Sequence, residues 1–454
     1  MGQTRELFAA PTMAAIFSNE AHIQAMLDFE GALARAEARA GVIPAAAAQA
    51  ISDVCRVELY DVAAVIEQAR AAGAHSIPLV AALAGLAGSD AGRYVHWGAT
   101  SQDVIDTALM LQARAGLDWL LAELLAIGAR CAALAQQHRL TPMAGRTLTQ
   151  HATPTSFGLK SAHWLSAVTR QIERLQRVRA EGLALQFGGA VGTLSALGDA
   201  GPSVLEQLAQ ELGLPQPDLP WHTDRDRVAA LAAALSLVAG VMAKIATDLL
   251  LLSQTEVAEV SEGVVEGKGG SSAMPHKRNP AEATFALAAA RMAQGQAAVV
   301  MGAMAHEHER AAGAWHAEWV ALPDAFVYTA GAVERVQSAL SGLTVDASRM
   351  RANLDLTGGL ILTEALTTVL AERVGRPEAF RLVKDASDRS RAAGRHLRDI
   401  AQDDAAIAGA LTAREIERAF DPARHLGSAS LFIERAVERF TWIVERLNAA
   451  EPEG

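Results

Sequence analysis

The chain has 454 residues, enough for a large buried core and for two or three domains. Apolar residues make up 51% of it, much of that alanine, and aromatics only 5%, which favours close-packed helices over sheet. A formal charge of −11 excludes general affinity for nucleic acid or anionic membranes, so an anionic substrate needs a local basic pocket.

Cys55 and Cys131 lack metal-ligand spacing and read as reduced, structural thiols. The first seven residues lack the charged-then-apolar pattern of a secretion signal, and together these features lead us to expect a cytoplasmic protein. Ile16, Ile23, Met26, Leu27, Phe29, Leu33 and Ala36 recur at helical intervals until Pro44 stops the run. Further helices are expected over 45–56 and 63–72, with a short one from Ile77 before Gly85 and Gly88.

Residues 93–108 form the first polar cluster. Gly98 permits a turn, and Thr100 or Ser101 can cap a helix reaching about residue 138, with Asp103 in its first turn. The N–H groups there, beside two hydroxyls, make either an ordinary cap or a small anion site. His96 reads either as a packed or surface histidine or as a catalytic one. Thr141-Pro142 interrupts the helices, residues 145–155 form a second polar cluster, and a helix follows over 156–181. The glycine-rich turn at 188–193 has no dinucleotide-type strand before it, so no nucleotide-phosphate loop is expected.

Residues 221–227 lead into a helix of some 35 residues ending near Gly263. Its uncharged run over 228–243 is too short for a membrane span and reads as a buried core helix. Helices are expected over 281–304 and 315–340, separated by a segment where His306 and His308 lie two apart, the wrong spacing for a metal pair on one helical face. From Asn353 onward the helices shorten and charge density rises, as in a separate C-terminal domain. No alternating strand pattern stands out anywhere.

The third polar cluster, residues 267–280, cannot be helical, because three glycines and two prolines break it. It carries Lys268, His276, Lys277 and Arg278, with no acid between Glu266 and Glu282. It reads as a loop that holds an anion, or as a solvated connector. Long helices pack lengthwise into bundles and bring such loops together at their ends or edges. Hydroxyls, amides, histidine, lysine and arginine suit a polycarboxylate and negative charge developing beside one of its carboxylates. They do not suit hydride transfer, phosphoryl transfer or a structural metal.

Gly270-Ser271-Ser272-Ala273-Met274-Pro275-His276-Lys277-Arg278-Asn279-Pro280 with Glu282 resembles the signature loop of the fumarase/aspartase superfamily, in the form typical of adenylosuccinate lyase and its relatives. Thr100-Ser101-Gln102-Asp103 and Gly145-Arg146-Thr147 resemble that superfamily's other two regions, in the same order. The resemblance covers nearly the whole chain. It implies an all-α, three-domain fold with a central long-helix bundle: an N-terminal helical domain over 1–105, the bundle over 106–352 and a C-terminal helical domain over 353–454. It also implies no cofactor or metal, a small polycarboxylate substrate, and a homotetramer in which each active site is assembled from three subunits.

Residues 26–30, 93–103, 185–190, 220–223, 308–310 with 315–319, and 351–357 are most similar to the superfamily's cycloisomerase branch. That branch closes a lactone on 3-carboxy-cis,cis-muconate in the protocatechuate branch of aromatic-acid catabolism. An adenylosuccinate-lyase-like C–N lyase, or a cycloisomerase for a substituted muconate such as a sulfomuconate, is the alternative. Elimination members commonly carry histidine after the threonine of the second region; here Leu148 stands there. Leucine cannot transfer a proton, but a carboxylate of pKa about 4 leaves without one, whereas an amine does not.

By the same resemblance Ser271 is the proton donor, its alkoxide stabilised by loop N–H groups and Lys277. Lys277 and Asn279 hold the activating carboxylate. Thr100, Ser101, Thr147 and Gln150 bind the other carboxylates. His96 and His151 either orient substrate or make structural hydrogen bonds. Arg310 pairs with a substrate carboxylate or with Glu309.

Overall fold

The computed structural model describes residues 3–263, 270, 274 and 276–450. The described residues are helical apart from two small two-stranded sheets. They divide into two compact units, one of Met1–Glu123, Gln171–Ala243 and Phe285–Glu334, the other of Leu124–Arg170, Lys244–Thr284 and Arg335–Gly454.

In the first unit, helix Asn19–Arg39 starts where the Ser18 hydroxyl accepts the Ala21 N–H. Its apolar stripe of Ile23, Met26, Leu27, Phe29, Leu33 and Ala36 is buried against helices Ala45–Asp53 and Gly201–Leu212. Each of its larger side chains contributes about 1.5–3 kcal/mol of transfer free energy. Helix Ser101–Gln137 begins at the predicted cap. Helices Asp226–Leu252 and Ala314–Ser341 bury Leu231, Leu235, Val238, Phe326 and Val333 within this unit.

Among the described residues, Asp226–Leu252 is the one helix long and apolar enough to cross a membrane by length and composition. Its buried leucines and valines give it the core role expected from sequence. It is shorter than that expectation, ending at Leu252. The chain then turns through Ala258 at φ 50, and Val260–Ser261 pairs with Thr344–Val345.

The second unit corrects the expectation of no strands. Pro142–Thr147 and Gln150–Ser156 form an antiparallel hairpin. Its alternation is hidden by a register shift between Ala144 and Arg146, and by prolines, which interrupt a strand pattern. Gly145 sits at that shift, where an added Cβ would lie 2.5 Å from the Thr153 carbonyl oxygen. The turn is Leu148-Thr149, both left-handed at φ 50 and 64, instead of the Asn-Gly or Gly-Gly pairs that announce such turns. Helix Phe157–Glu181 follows directly. Beyond residue 353, helices Thr363–Val374 and Arg376–Ala393 pack on each other around Leu366, Leu370, Leu382 and Val383.

Candidate functional site

In the first unit the residues around Thr100 are held by Asp103, an aspartate without solvent exposure. Its Oδ1 accepts from the Gly188 N–H at 3.0 Å and the Gln186 amide at 3.3 Å, and contacts His222 Nε2 at 2.7 Å. Its Oδ2 accepts from the N–H groups of Gly189 at 2.9 Å and Thr100 at 3.0 Å. The glycine-rich turn is therefore not an empty phosphate cradle: a carboxylate of the chain itself takes its N–H groups. Gly189 is needed there, because its φ is 70 and a Cβ would meet the Gly98 carbonyl oxygen at 2.9 Å. The bond to Thr100 is one half of a capping box, so the helix start and the glycine turn are fixed by the same side chain.

Beneath Asp103 the network continues. The Gln102 amide donates to the His222 carbonyl and to Asp106. Asp106 also accepts from Arg225 and from the Trp315 indole, and Arg225 pairs with Glu318 as well. Arg225, Asp106 and Glu318 are each 1–2% exposed, and the two carboxylates hold the guanidinium well above the usual arginine range against the pull of burial. Breaking one partner of such a buried set costs about 3–5 kcal/mol. Arg310 joins the network from above, donating to Gln102 Oε1 at 3.1 Å and to the Ala190 carbonyl at 2.8 Å. The ion pair with Glu309 is not formed.

The first unit thus brings together His96, Thr100, Ser101 and Arg310. The Thr100 and Ser101 hydroxyls are half-buried and make no hydrogen bond to other described residues. His96 Nδ1 lies 2.6 Å from Glu30 Oε1. The sequence reading passed over Asp103 as a structural anchor, and over Gln102, Asp106, His222, Arg225 and Glu318. Only the acid at the third position of a capped helix signalled one of them.

The second unit holds Thr147, Gln150 and His151 on the hairpin and Lys277 and Asn279 on the loop. Thr147 pairs with Gln150 across the turn, and both are exposed, as is Leu148 at 95%. Arg146 faces the other way. It makes a bidentate pair with fully buried Glu259 at 2.7 and 2.9 Å, and the Asn353 amide donates to the same carboxylate at 2.8 Å. The arginine of the second motif is an anchor for the hairpin.

His151 is half-buried, its Nδ1 has no partner among the described residues, and burial followed by the Arg146 charge lowers its pKa. On the loop, Gly270 bridges to Arg278, which places Lys277 and Asn279 on either side of a paired residue, both exposed. The loop ends where the Glu262 carboxylate accepts the N–H groups of Glu282 and Ala283, capping helix Ala281–Gly302 with the sign its dipole favours. Ser271 lies outside the described residues, as does Lys268. Among the described residues no three His, Cys, Asp or Glu side chains converge as a metal site requires. A cavity of about 690 Å³ between helices Thr363–Val374 and Arg376–Ala393 contains none of the candidate residues.

The sequence profile of the lyase family matches residues 5–302, and that of the adenylosuccinate lyase C-terminus matches 359–436. A 3-carboxy-cis,cis-muconate cycloisomerase of Bradyrhizobium diazoefficiens is 49% identical, over 95% of this chain and 96% of its own. A nitrosuccinate lyase of Streptomyces davaonensis is 42% identical, over 94% and 92%. The crystal structure of 3-carboxy-cis,cis-muconate lactonizing enzyme from Pseudomonas putida superposes with a TM-score of 0.94 at 45% identity, covering 98% of this chain and all of that one. These likenesses run the length of both units and include the three polar clusters, and the chain belongs to the lyase family of the fumarase/aspartase superfamily.

Proposed function

We propose that this chain is a 3-carboxy-cis,cis-muconate cycloisomerase acting in aromatic-acid catabolism. The observation that carries the reading is its near-full-length likeness to cycloisomerases at close to half identity. Leu148 supports it independently. The residue that offers a proton to an amine or hydroxide leaving group in elimination members is here an exposed aliphatic side chain at a hairpin tip. A reaction whose nucleophile is already an ionised carboxylate does not need that group.

In the proposed step one substrate carboxylate attacks the alkene carbon across the chain and forms the C–O bond of a five-membered lactone. The alkene electron pair moves onto the carboxylate conjugated with it, giving an enediolate-like dianion. The Ser271 hydroxyl then delivers a proton to the adjacent carbon, and solvent reprotonates the serine, so the overall change is an isomerisation to 4-carboxymuconolactone. Lys277 and Asn279 take the charge that builds on the activated carboxylate. Thr100, Ser101, Thr147 and Gln150 hold the remaining carboxylates, with Arg310, His96 and His151 orienting them. We assign these roles to a cytoplasmic homotetramer, with each site drawn from three subunits and each chain organised as an N-terminal domain, a central bundle and a C-terminal domain.

A panel assay tests the proposal. Enzyme added to 3-carboxymuconate, unsubstituted muconate, 3-sulfomuconate, nitrosuccinate and adenylosuccinate should consume 3-carboxymuconate fastest, without added cofactor. Faster conversion of either succinate derivative would move the chain to the eliminating lyases, a reading that the nitrosuccinate lyase relative favours. Ser271→Ala should lower kcat by at least 10²-fold while KM and assembly stay near wild type. Retained turnover would remove the serine from the mechanism.

A further inference from the structure

We propose that Glu30 is a positioning residue of this site, fixing the His96 ring and holding it as a cation toward the substrate carboxylate received at the start of helix Ser101–Gln137. The inference rests on the reading of His96 as a substrate contact. Glu30 belongs to helix Asn19–Arg39 and lies 66 positions from His96, so no local pattern announces the pair. Their 2.6 Å contact joins a carboxylate side chain 1% exposed to a ring 20% exposed. The pair is thus sealed in the core at Glu30 and partly open at the His96 ring.

Three further observations point the same way. His96 has φ 60, a left-handed backbone that an L side chain enters only at a cost, and the surrounding structure holds it there while the ring reaches Glu30. His96 is the one ion-pair partner Glu30 has among the described residues, and its second oxygen, Oε2, is buried without a hydrogen bond. A neutral His96 would leave that buried carboxylate without compensating charge. With Nδ1 donating to Glu30, the cationic ring still presents Nε2–H outward, and both nitrogens are donors.

Burial by itself would lower the pKa of His96. The charge and hydrogen bond of Glu30, with the charge of Asp103 behind them, outweigh it and hold the imidazole above its ordinary value. None of the other ionisable groups described nearby pairs with Glu30: His222 contacts Asp103, Arg310 bonds Gln102 and the Ala190 carbonyl, the Cys55 thiol donates to the Ile51 carbonyl and the Tyr60 hydroxyl to the Val54 carbonyl, and Glu37, two turns further along the helix, feels the charge of Glu30 without bonding it. Glu30 therefore favours the protonated ring near the start of helix Ser101–Gln137, in a chain whose net charge of −11 repels an anionic substrate.

The test is Glu30→Gln with Glu30→Asp, read by side-chain NMR of histidine-labelled enzyme and by the pH dependence of kcat/KM for 3-carboxymuconate. His96→Gln identifies the His96 signal. In Glu30→Gln the His96 pKa should fall by about one unit or more, the alkaline limb of kcat/KM should move down by the same shift, and KM should rise more than kcat falls. Glu30→Asp, which keeps the charge at shorter reach, should show a smaller shift. An unmoved His96 titration in Glu30→Gln would overturn the role of Glu30. Should Glu30→Gln fail to fold, an unmoved titration in Glu30→Asp would do so. Wild-type turnover by His96→Gln, with the titration shift present, would instead overturn the substrate contact of His96.

Discussion

Glu37 shows how a single residue can set a pH dependence without taking part in chemistry. It is 1% exposed, and neither carboxyl oxygen has a partner among the described residues. Burial, then the charge of Glu30, pushes its pKa from 4.5 up to about 9. The folded state therefore keeps a proton that the unfolded state has lost, and stability falls as pH rises between those two values. Glu37→Gln should flatten that fall, seen as a smaller difference in Tm between pH 5 and pH 8.5 than in wild type; an equal difference would place the slope elsewhere. Leu148 bears on stability through its backbone. A leucine at φ 50 and 95% exposed carries backbone strain with no burial to offset it. Leu148→Asn, which tolerates that conformation, should raise stability by about 0.5–1 kcal/mol in thermal unfolding. An unchanged or lower Tm would mean that the leucine is covered in the assembled protein.

At the scale of elements, the hairpin and the loop ahead of helix Ala281–Gly302 are held by acids that the motifs do not name. Arg146, Glu259 and Asn353 tie the hairpin to the small Val260–Ser261 sheet and to helix Ala347–Leu354. Arg146→Leu leaves Glu259 buried and unpaired, and should cost about 3–5 kcal/mol in denaturant unfolding. Replacing both, Arg146→Leu with Glu259→Leu, should recover most of that loss. Additive losses would show that the pair does not act as a unit. The motif arginine was legible in the sequence, but its partner was not, because Glu259 is 113 residues away and no spacing rule links them.

For the whole molecule, the proposed candidate residues fall in two units, with His96, Thr100, Ser101 and Arg310 in one and Thr147, Gln150, His151, Lys277 and Asn279 in the other. A tetramer that builds each site from three subunits would let two differently damaged chains repair one another. Mixing inactive His96→Ala and Ser271→Ala enzymes under conditions of subunit exchange should restore measurable turnover, because some mixed sites carry both residues intact. Light scattering should give four times the 47.7 kDa chain mass. A fully active monomer, or no recovery from exchanged mixtures, would exclude shared sites.

The sequence alone determined the helical class, the ends of most long helices to within a few residues, and the family. Those properties follow from periodicity, capping and a glycine-proline loop, all of which are local. It hid the hairpin, because a shifted register and a Leu-Thr turn remove the alternation and the glycine that mark one. Which charges are paired is set by the packing of the helices. Glu30 with His96, Asp103 with the glycine turn, and Arg225 between Asp106 and Glu318 are contacts between residues 66 to 119 positions apart. Burial makes such pairings obligatory, but only the packing of the helices selects the partners.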